Sequence, residues 1–183
     1  MRVIAGKYKR TPLMTLEGQD ITRPTRDMVK EALFSTITMY SDTRFLDLFA
    51  GSGAIGIEAL SRGAEDAVFN DVNKDAAKII QQNLNKIKEN RMVLNLPYEE
   101  CLRRLKGKKF DYIYVDPPYV FADHEKLFSL VEENEVLADD GRIIVEVNKQ
   151  TVLSEEYGKV KLYKEKKYGI NKLYYYKMEN QND

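Results

Sequence analysis

The pattern of apolar and polar positions opens with short apolar runs broken by basic residues and glycines, RVIAGKYKRTPLMTLEG, which predicts a small β-hairpin. The next stretch, RDMVKEALFSTITMY, sets Met28, Val29, Ala32, Leu33 and Ile37 on one face at helical spacing, with Thr25 as the expected N-cap. Short apolar runs then alternate with amphipathic ones: FLDLFA and IGIEALSR, AVFND and KDAAKIIQQNLNKIKEN, RMVLNL and YEECLRRL, FDYIYVD and HEKLFSLVEEN, and last GRIIVEV. Strands separated by helices need crossovers, and right-handed crossovers build a parallel sheet covered on both faces. Beyond Gly158 the rhythm changes. In KVKLYKEKKYGINKLYYYKM, lysines alternate with apolar or tyrosine positions around YGIN, the pattern of an antiparallel hairpin added at the sheet edge. The expected fold is α/β and Rossmann-like: a mostly parallel seven-stranded sheet with an antiparallel C-terminal hairpin, plus a small N-terminal β-hairpin and helix.

The 183 residues suffice for one domain with a substantial core and are too few for a dinucleotide domain plus a separate substrate domain. A single domain over residues 1–183 is expected, with 1–24 as the hairpin extension and 25–178 as the catalytic core. No secretory leader pattern opens the sequence and no apolar run approaches the roughly 20 residues of a membrane span, so a cytoplasmic protein without membrane contact is expected. The one cysteine, Cys101, lies near Leu102 and Leu105 and reads as an inert core thiol. Basic and acidic residues balance at 29 each, but both ends of the chain are basic and the middle is acidic. That asymmetry suits a phosphate-facing rim built from the two ends.

Candidate chemistry starts at GSGAIG, Gly51 to Gly56, between an apolar strand and a helix. Glycines at such a bend allow positive φ and close approach of a ligand, which fits NAD and S-adenosylmethionine (AdoMet) equally. Asp71, at the end of the second strand, stands at the interval where an acid accepts hydrogen bonds from ribose hydroxyls, and both cofactors carry a ribose. The fourth strand discriminates. It ends FDYIYVDPPY, and two prolines directly after a buried strand stop the ladder and fix two φ angles, so that the carbonyls around Asp116 and Pro117 are held rigidly. An aromatic exocyclic amine is a poor nucleophile until its nitrogen pyramidalises. Two acceptors, the Asp116 carboxylate and the Pro117 carbonyl, favour that geometry, while Tyr119 can stack on the base. Hydride transfer has no evident use for this arrangement. The single histidine, His124, is expected to be exposed in a first helical turn, and no Cys/His cluster suggests a metal.

With these motifs in hand, the chain resembles the RsmD family of 16S ribosomal RNA guanine-N2 methyltransferases, AdoMet-dependent enzymes of Rossmann-like fold. The likeness runs through RVIAGKYKR, RPTRDMVKEALF, FLDLFAGSGAIGIEALSRGA, FDYIYVDPPY, GRIIVEV and KKYGINKLYYY. DPPY marks amino-methyltransferases generally, and the RVIAG and RPT blocks narrow the choice. The resemblance implies that Asp47, Gly51 and Gly53 line the methionine side of AdoMet, flanked by Phe49, Ala50 and Ser52, and that Asp71 holds the ribose beside Val72. It makes Asp116, Pro117, Pro118 and Tyr119 the target-amine site, with Arg23 and Thr25 closing over the cleft. Arg2, Lys7, Lys9 and Arg10 are then the candidates for gripping the RNA backbone, with Lys159, Lys161 and Lys164 as weaker ones. The implied partner is 16S rRNA, within an assembling small ribosomal subunit, and the implied state is a monomer.

Two positions depart from the family. Where an acidic residue often meets the adenine amine the chain reads NLPYEE, with Pro97 and Tyr98 at that place, and Asn73 replaces a common aspartate. Either Glu99 or a backbone group takes the adenine contact, or the alignment there is displaced. The competing readings are an adenine-N6 amino-methyltransferase acting on DNA or RNA, a dinucleotide-dependent oxidoreductase, and a non-catalytic RNA-binding protein with a vestigial pocket.

Overall fold

A computed structural model describes residues 1–16 and 23–179, the side chains of residues 23–26 excepted. Helix α1 (Arg23–Phe34) leads into β1 (Arg44–Asp47), α2 (Ala54–Ser61), β2 (Asp66–Asn70), α3 (Lys74–Lys86), β3 (Val93–Leu94), α4 (Tyr98–Arg104) and β4 (Phe110–Val115). Then come α5 (His124–Glu133), β5 (Leu137–Asn148), β6 (Glu156–Tyr157), β7 (Val160–Tyr168) and β8 (Asn171–Met178). The strands form one sheet in the order β3-β2-β1-β4-β5-β8-β7-β6. The first five are parallel, and β8 runs antiparallel between β5 and β7. All seven expected strands are present. The eighth, β6, pairs with β7 across a turn at Gly158 and, at two residues, is too short for any alternation to reveal. Among the described residues no helix is long and apolar enough to cross a membrane.

Alternation along β4 divides the core. Ile113 and Val115 face α4 and α5, whereas Tyr112 and Tyr114 face the layer of α1, α2 and α3. β8 is inserted rather than marginal, so its tyrosine run is buried on both faces: Tyr174 and Tyr176 on one side, Tyr175 on the other. Buried phenols need partners. Tyr174 and Tyr176 donate to the carbonyls of Thr151 and Ser154, and Tyr175 accepts from the Thr36 hydroxyl. Cys101 is buried among apolar neighbours, and burial pushes its thiol up to about 12, so it is protonated and inert at neutral pH.

Two local expectations are corrected. Helix α1 starts at Arg23, so Thr25 lies within its first turn and is not the N-cap; Pro24 suits that turn because its φ is already helical and its missing N–H is not needed there. The N-terminal hairpin is reduced to a single antiparallel bridge, Arg2 with Pro12, supported by Val3 N–H to Thr11 O (2.9 Å) and Leu13 N–H to Met1 O (2.9 Å).

This N-terminal arm is docked on α2 and α3. Glu58, fully buried on α2, accepts from the amides of Ile4 (2.9 Å) and Ala5 (3.0 Å), pairs with Arg62 (2.9 Å), and lies 3.6 Å from the ammonium of buried Lys30. Lys30 also donates to the Arg2 carbonyl. At Gly6, with φ 81°, a Cβ would fall 1.8 Å from the Ser61 carbonyl oxygen, so only glycine lets the arm approach α2 this closely. Asn83 on α3 exchanges bonds with Met14 (2.8 and 3.0 Å) and donates to the Ser52 carbonyl at 2.9 Å.

Candidate active site

From β1 the chain moves outward to β2 and β3, then returns to β4 on the other side of β1, so the strand order reverses between β1 and β4. The crevice beyond the carboxyl ends of those two strands is where open α/β sheets bind ligands. The glycine turn leaves β1 there and DPPY leaves β4. Pairing of Asp47 with Tyr114 brings both turns off the sheet at the same level.

Gly51 and Gly53 both adopt left-handed backbone, φ 56° and 78°. A Cβ on Gly51 would meet nothing within 4 Å, so that side of the turn is open to a ligand, whereas one on Gly53 would crowd Ile80 and Phe69. Asp71 fastens the turn: its Oδ2 accepts from Gly51 N–H and its Oδ1 from Asn73 N–H, each at 2.8 Å. Each oxygen keeps a second lone pair for ribose hydroxyls. Asn73 in turn caps α3 by accepting from Asp75 N–H (2.8 Å), so the aspartate common at this position is replaced by another competent cap. Asn95, which sequence reasoning missed, donates to the carbonyls of Asp71 and Val72 and steadies this acidic loop. Val72 is 67% exposed beside it. Ser52 is buried and Ala50 half-buried. The open glycine, the fixed acid with spare lone pairs and the exposed apolar residue fit a nucleoside-bearing cofactor.

Asp47 is buried at the start of α2, where its Oδ2 accepts from Gly56 N–H at 3.0 Å. Burial pushes its carboxyl up to about 7; the Gly56 bond opposes the shift and the nearby Asp71 carboxylate adds to it. A folded-state acid raised above its unfolded value of 3.8 binds more protons folded than unfolded, so stability falls as pH rises from about 4 to about 7 and is flat beyond. Asp47→Asn keeps an acceptor for Gly56 without the charge. Its melting temperature is expected to gain on wild type between pH 5 and pH 7 by an amount set by about 1.4 kcal/mol per pKa unit; parallel curves across that window would remove Asp47 as the cause.

On the other side of the crevice, Asp116 and Pro118 are exposed, Pro117 is half-buried and Tyr119 is 72% exposed. Phe121 N–H closes the turn on the Pro118 carbonyl (2.8 Å). These residues border a cavity of about 440 Å³, completed by His124, by Glu146 and Val147 at the end of β5, and by Asn171 at the start of β8. Beneath the turn, Phe121 packs against Phe49 (5.6 Å between ring centroids), Tyr98 (5.4 Å) and His124 (5.0 Å). His124 is therefore buried, not exposed as its sequence neighbours suggest, and burial lowers its pKa. Phe49 belongs to this aromatic support, and Tyr98, whose hydroxyl burial raises to about 12, packs there too. Glu99 forms an ion pair with Lys126 at 3.0 Å.

The expected RNA-facing residues are dispersed in their engagement. Arg2 lies 3.7 Å from Asp27, and Lys7 lies 3.8 Å from Glu89 and over the Tyr8 ring. Lys9 and Arg10 are exposed and make no ion pair among the described residues. Lys159 and Lys161 are paired with Glu132 and with Glu156 and Glu179, and Lys164 lies over the Tyr175 ring. The side chains of Arg23 and Thr25 lie outside the described residues.

A doubly wound sheet with an inserted antiparallel β8, a glycine turn after β1 and a proline-stiffened strand end after β4 defines the Rossmann-like methyltransferase fold. A solved Escherichia coli structure provisionally named as a methyltransferase matches it at 31% identity and TM-score 0.82, over 99% of each chain. The chain belongs to the family described as Conserved hypothetical protein 95, the RsmD family, whose model matches residues 1–177. It is 37% identical to a Bacillus subtilis protein provisionally named rRNA methyltransferase YlbH, over 97% of this chain and 98% of that one. It is 36% identical to the ribosomal RNA small subunit methyltransferase D of Haemophilus influenzae, over 84% of this chain and 81% of that one.

Proposed function

We propose that this protein transfers a methyl group from AdoMet to the exocyclic N2 amine of a guanine in 16S rRNA, acting as a monomer on an assembling small subunit. The observation that carries the reading is the meeting of two turns at one crevice: the open glycine turn with Asp71 after β1, and DPPY after β4. The name of the Bacillus subtilis relative supports rRNA as the target, and that of the Haemophilus influenzae relative supports small-subunit rRNA.

Bound AdoMet supplies an electrophilic methyl group on a sulfonium. Asp71 would accept the ribose hydroxyls, Val72 would flank the adenosine, and Gly51 leaves room for close approach. On the substrate side, the Asp116 carboxylate and Pro117 carbonyl accept the two N–H bonds of the amine, which directs the nitrogen lone pair away from the ring and towards the cofactor side of the crevice. Exposed Tyr119 offers a face for the flipped base.

Small subunits from a methylation-deficient strain, incubated with this protein and methyl-labelled AdoMet, are expected to carry label as N2-methylguanosine. Label in N6-methyladenosine would transfer the reading to adenine, and no label in rRNA would remove it. Free rRNA in a parallel reaction is expected to be the poorer substrate. Replacing Lys9 and Arg10 by Gln is expected to flatten the dependence of log affinity on log salt by about 0.7 for each phosphate that is no longer neutralised. An unchanged slope would make both residues ordinary surface charge.

A further inference from the structure

The turn after DPPY carries two side chains that folding does not call for. Phe121 N–H bonds to the Pro118 carbonyl at 2.8 Å, so Pro118 to Phe121 form a four-residue turn with Tyr119 and Val120 at its corner. Corner positions favour glycine, asparagine, aspartate, serine and proline, each for a backbone reason. Tyrosine and valine supply none of those reasons, and neither packs into the core. Tyr119 is 72% exposed and Val120 92%, the highest value among the large apolar residues described. The turn that presents them is nonetheless stiff. Pro117 and Pro118 fix φ on its entry side, and on its exit side Phe121 packs against the rings of Phe49, Tyr98 and His124.

Tyr119 and Phe121 border the cavity, while Val120 between them is turned to solvent. The loop after β5, whose Gln150 and Thr151 line the same cavity, carries a second outlying apolar residue, Val152, 84% exposed. Lys149 in that loop is exposed and makes no ion pair among the described residues. Bare apolar side chains beside an unpaired cation suit a strand with apolar base faces and an anionic backbone, and the cavity they adjoin is the one assigned to a single base of such a strand.

We propose that Val120 is a wedge: when the target guanine leaves its stack for the cavity, Val120 enters the RNA where that base stood and keeps the neighbouring bases apart. This rests on the guanine-N2 reading above and adds the residue that holds the flipped state open. Extruding a base costs stacking on both of its faces, and the neighbours close over the gap unless something apolar fills it. The adjacent corner residues divide the task. Tyr119 meets the base that has come out, and Val120 takes the place it has left.

The test uses Val120→Ala, which shortens the wedge, and Val120→Leu, which keeps it. Both are expected to bind AdoMet as wild type does, and calorimetry identifies a variant that has failed to fold. 2-Aminopurine is placed beside the guanine that wild-type protein labels, by ligating synthetic RNA into 16S rRNA and reconstituting the subunit; it is dim while stacked and brightens when its neighbour is removed. With S-adenosylhomocysteine bound, so that no methyl group can move, wild type and Val120→Leu are expected to brighten it, and Val120→Ala to produce less than about half of that rise. Single-turnover methylation by Val120→Ala is expected to be slower by about tenfold, with subunit affinity within about threefold of wild type. Replacing the neighbouring nucleotide by an abasic one removes the stack that would close, and is expected to bring Val120→Ala to within about threefold of wild type. A Val120→Ala protein as bright and as fast as wild type, or one equally impaired on the abasic substrate, overturns the wedge and leaves guanine-N2 methylation standing. Wild-type brightness with a large loss of subunit affinity would assign Val120 to a protein of the subunit, which also overturns it. Absence of label on guanine with wild-type protein instead overturns the functional reading, and this inference with it.

Discussion

Asp116→Ala is expected to lower methyl transfer by about a hundredfold or more while AdoMet affinity stays within about tenfold, a change of at most about 1.4 kcal/mol. The separation follows from the geometry. Asp116 directly follows β4, on the far side of the crevice from the glycine turn, and is exposed. The cofactor-side contacts of Asp71 with Gly51 and Asn73 do not involve it. Fixed acceptors that meet charge as it develops are among the largest catalytic contributions, and losing one costs about a hundredfold to a thousandfold. Asp116→Asn keeps one oxygen acceptor and is expected to retain more activity than the alanine variant. Single-turnover rates with labelled AdoMet and calorimetric titration measure the two quantities. Equal loss of both would indicate a collapsed crevice and not a lost acceptor.

Glu58→Ala is expected to destabilise the protein by about 3–5 kcal/mol, a large share of the 5–15 kcal/mol typical of folded domains. Lys30 is 2% exposed, and Glu58 is its ion-pair partner among the described residues, at 3.6 Å. Removing the carboxylate leaves the buried ammonium with the Arg2 carbonyl and the more distant Asp27 charge alone, and the amides of Ile4 and Ala5 without acceptors. Burial already lowers the Lys30 pKa, an effect that Glu58 opposes. Without Glu58 the folded-state pKa falls further below the unfolded value, the unfolded chain binds more protons, and the variant gains stability as pH rises through that window. Urea denaturation at several pH values reads both effects. A loss below about 1 kcal/mol would mean that the arm contributes little to folding.

The two turns that frame the crevice are legible in the sequence because each is contiguous and built from residues with singular backbone chemistry. Glycine at 51 and 53 and proline at 117 and 118 announce a conformation whatever surrounds them. The parallel strands were legible from their apolar runs for the same local reason. The wall of Glu146 and Asn171 was not, since only the antiparallel insertion of β8 beside β5 brings two residues 25 positions apart into contact. Its one signal was polar: a glutamate inside the apolar run GRIIVEV and an asparagine at the head of a strand whose first six residues are buried. His124 was misread because its immediate neighbours are polar, while the ring that covers it belongs to Phe121, three residues earlier, folded back by the turn at Pro118. Glu58 stands in an apolar helical stretch, IGIEALS, which does not by itself say what its carboxylate meets. Its burial depends on the arm, whose docking rests on the absent Cβ of Gly6.

Tyr119 stands 72% exposed at the mouth of the cavity in a chain that contains no tryptophan. An indole installed there by Tyr119→Trp would be the sole red-edge fluorophore of the protein, set on the face assigned to the incoming base. Quenching of that emission on mixing with RNA would time the arrival of the nucleobase separately from the arrival of the phosphate backbone, in one stopped-flow trace and without any chemical step.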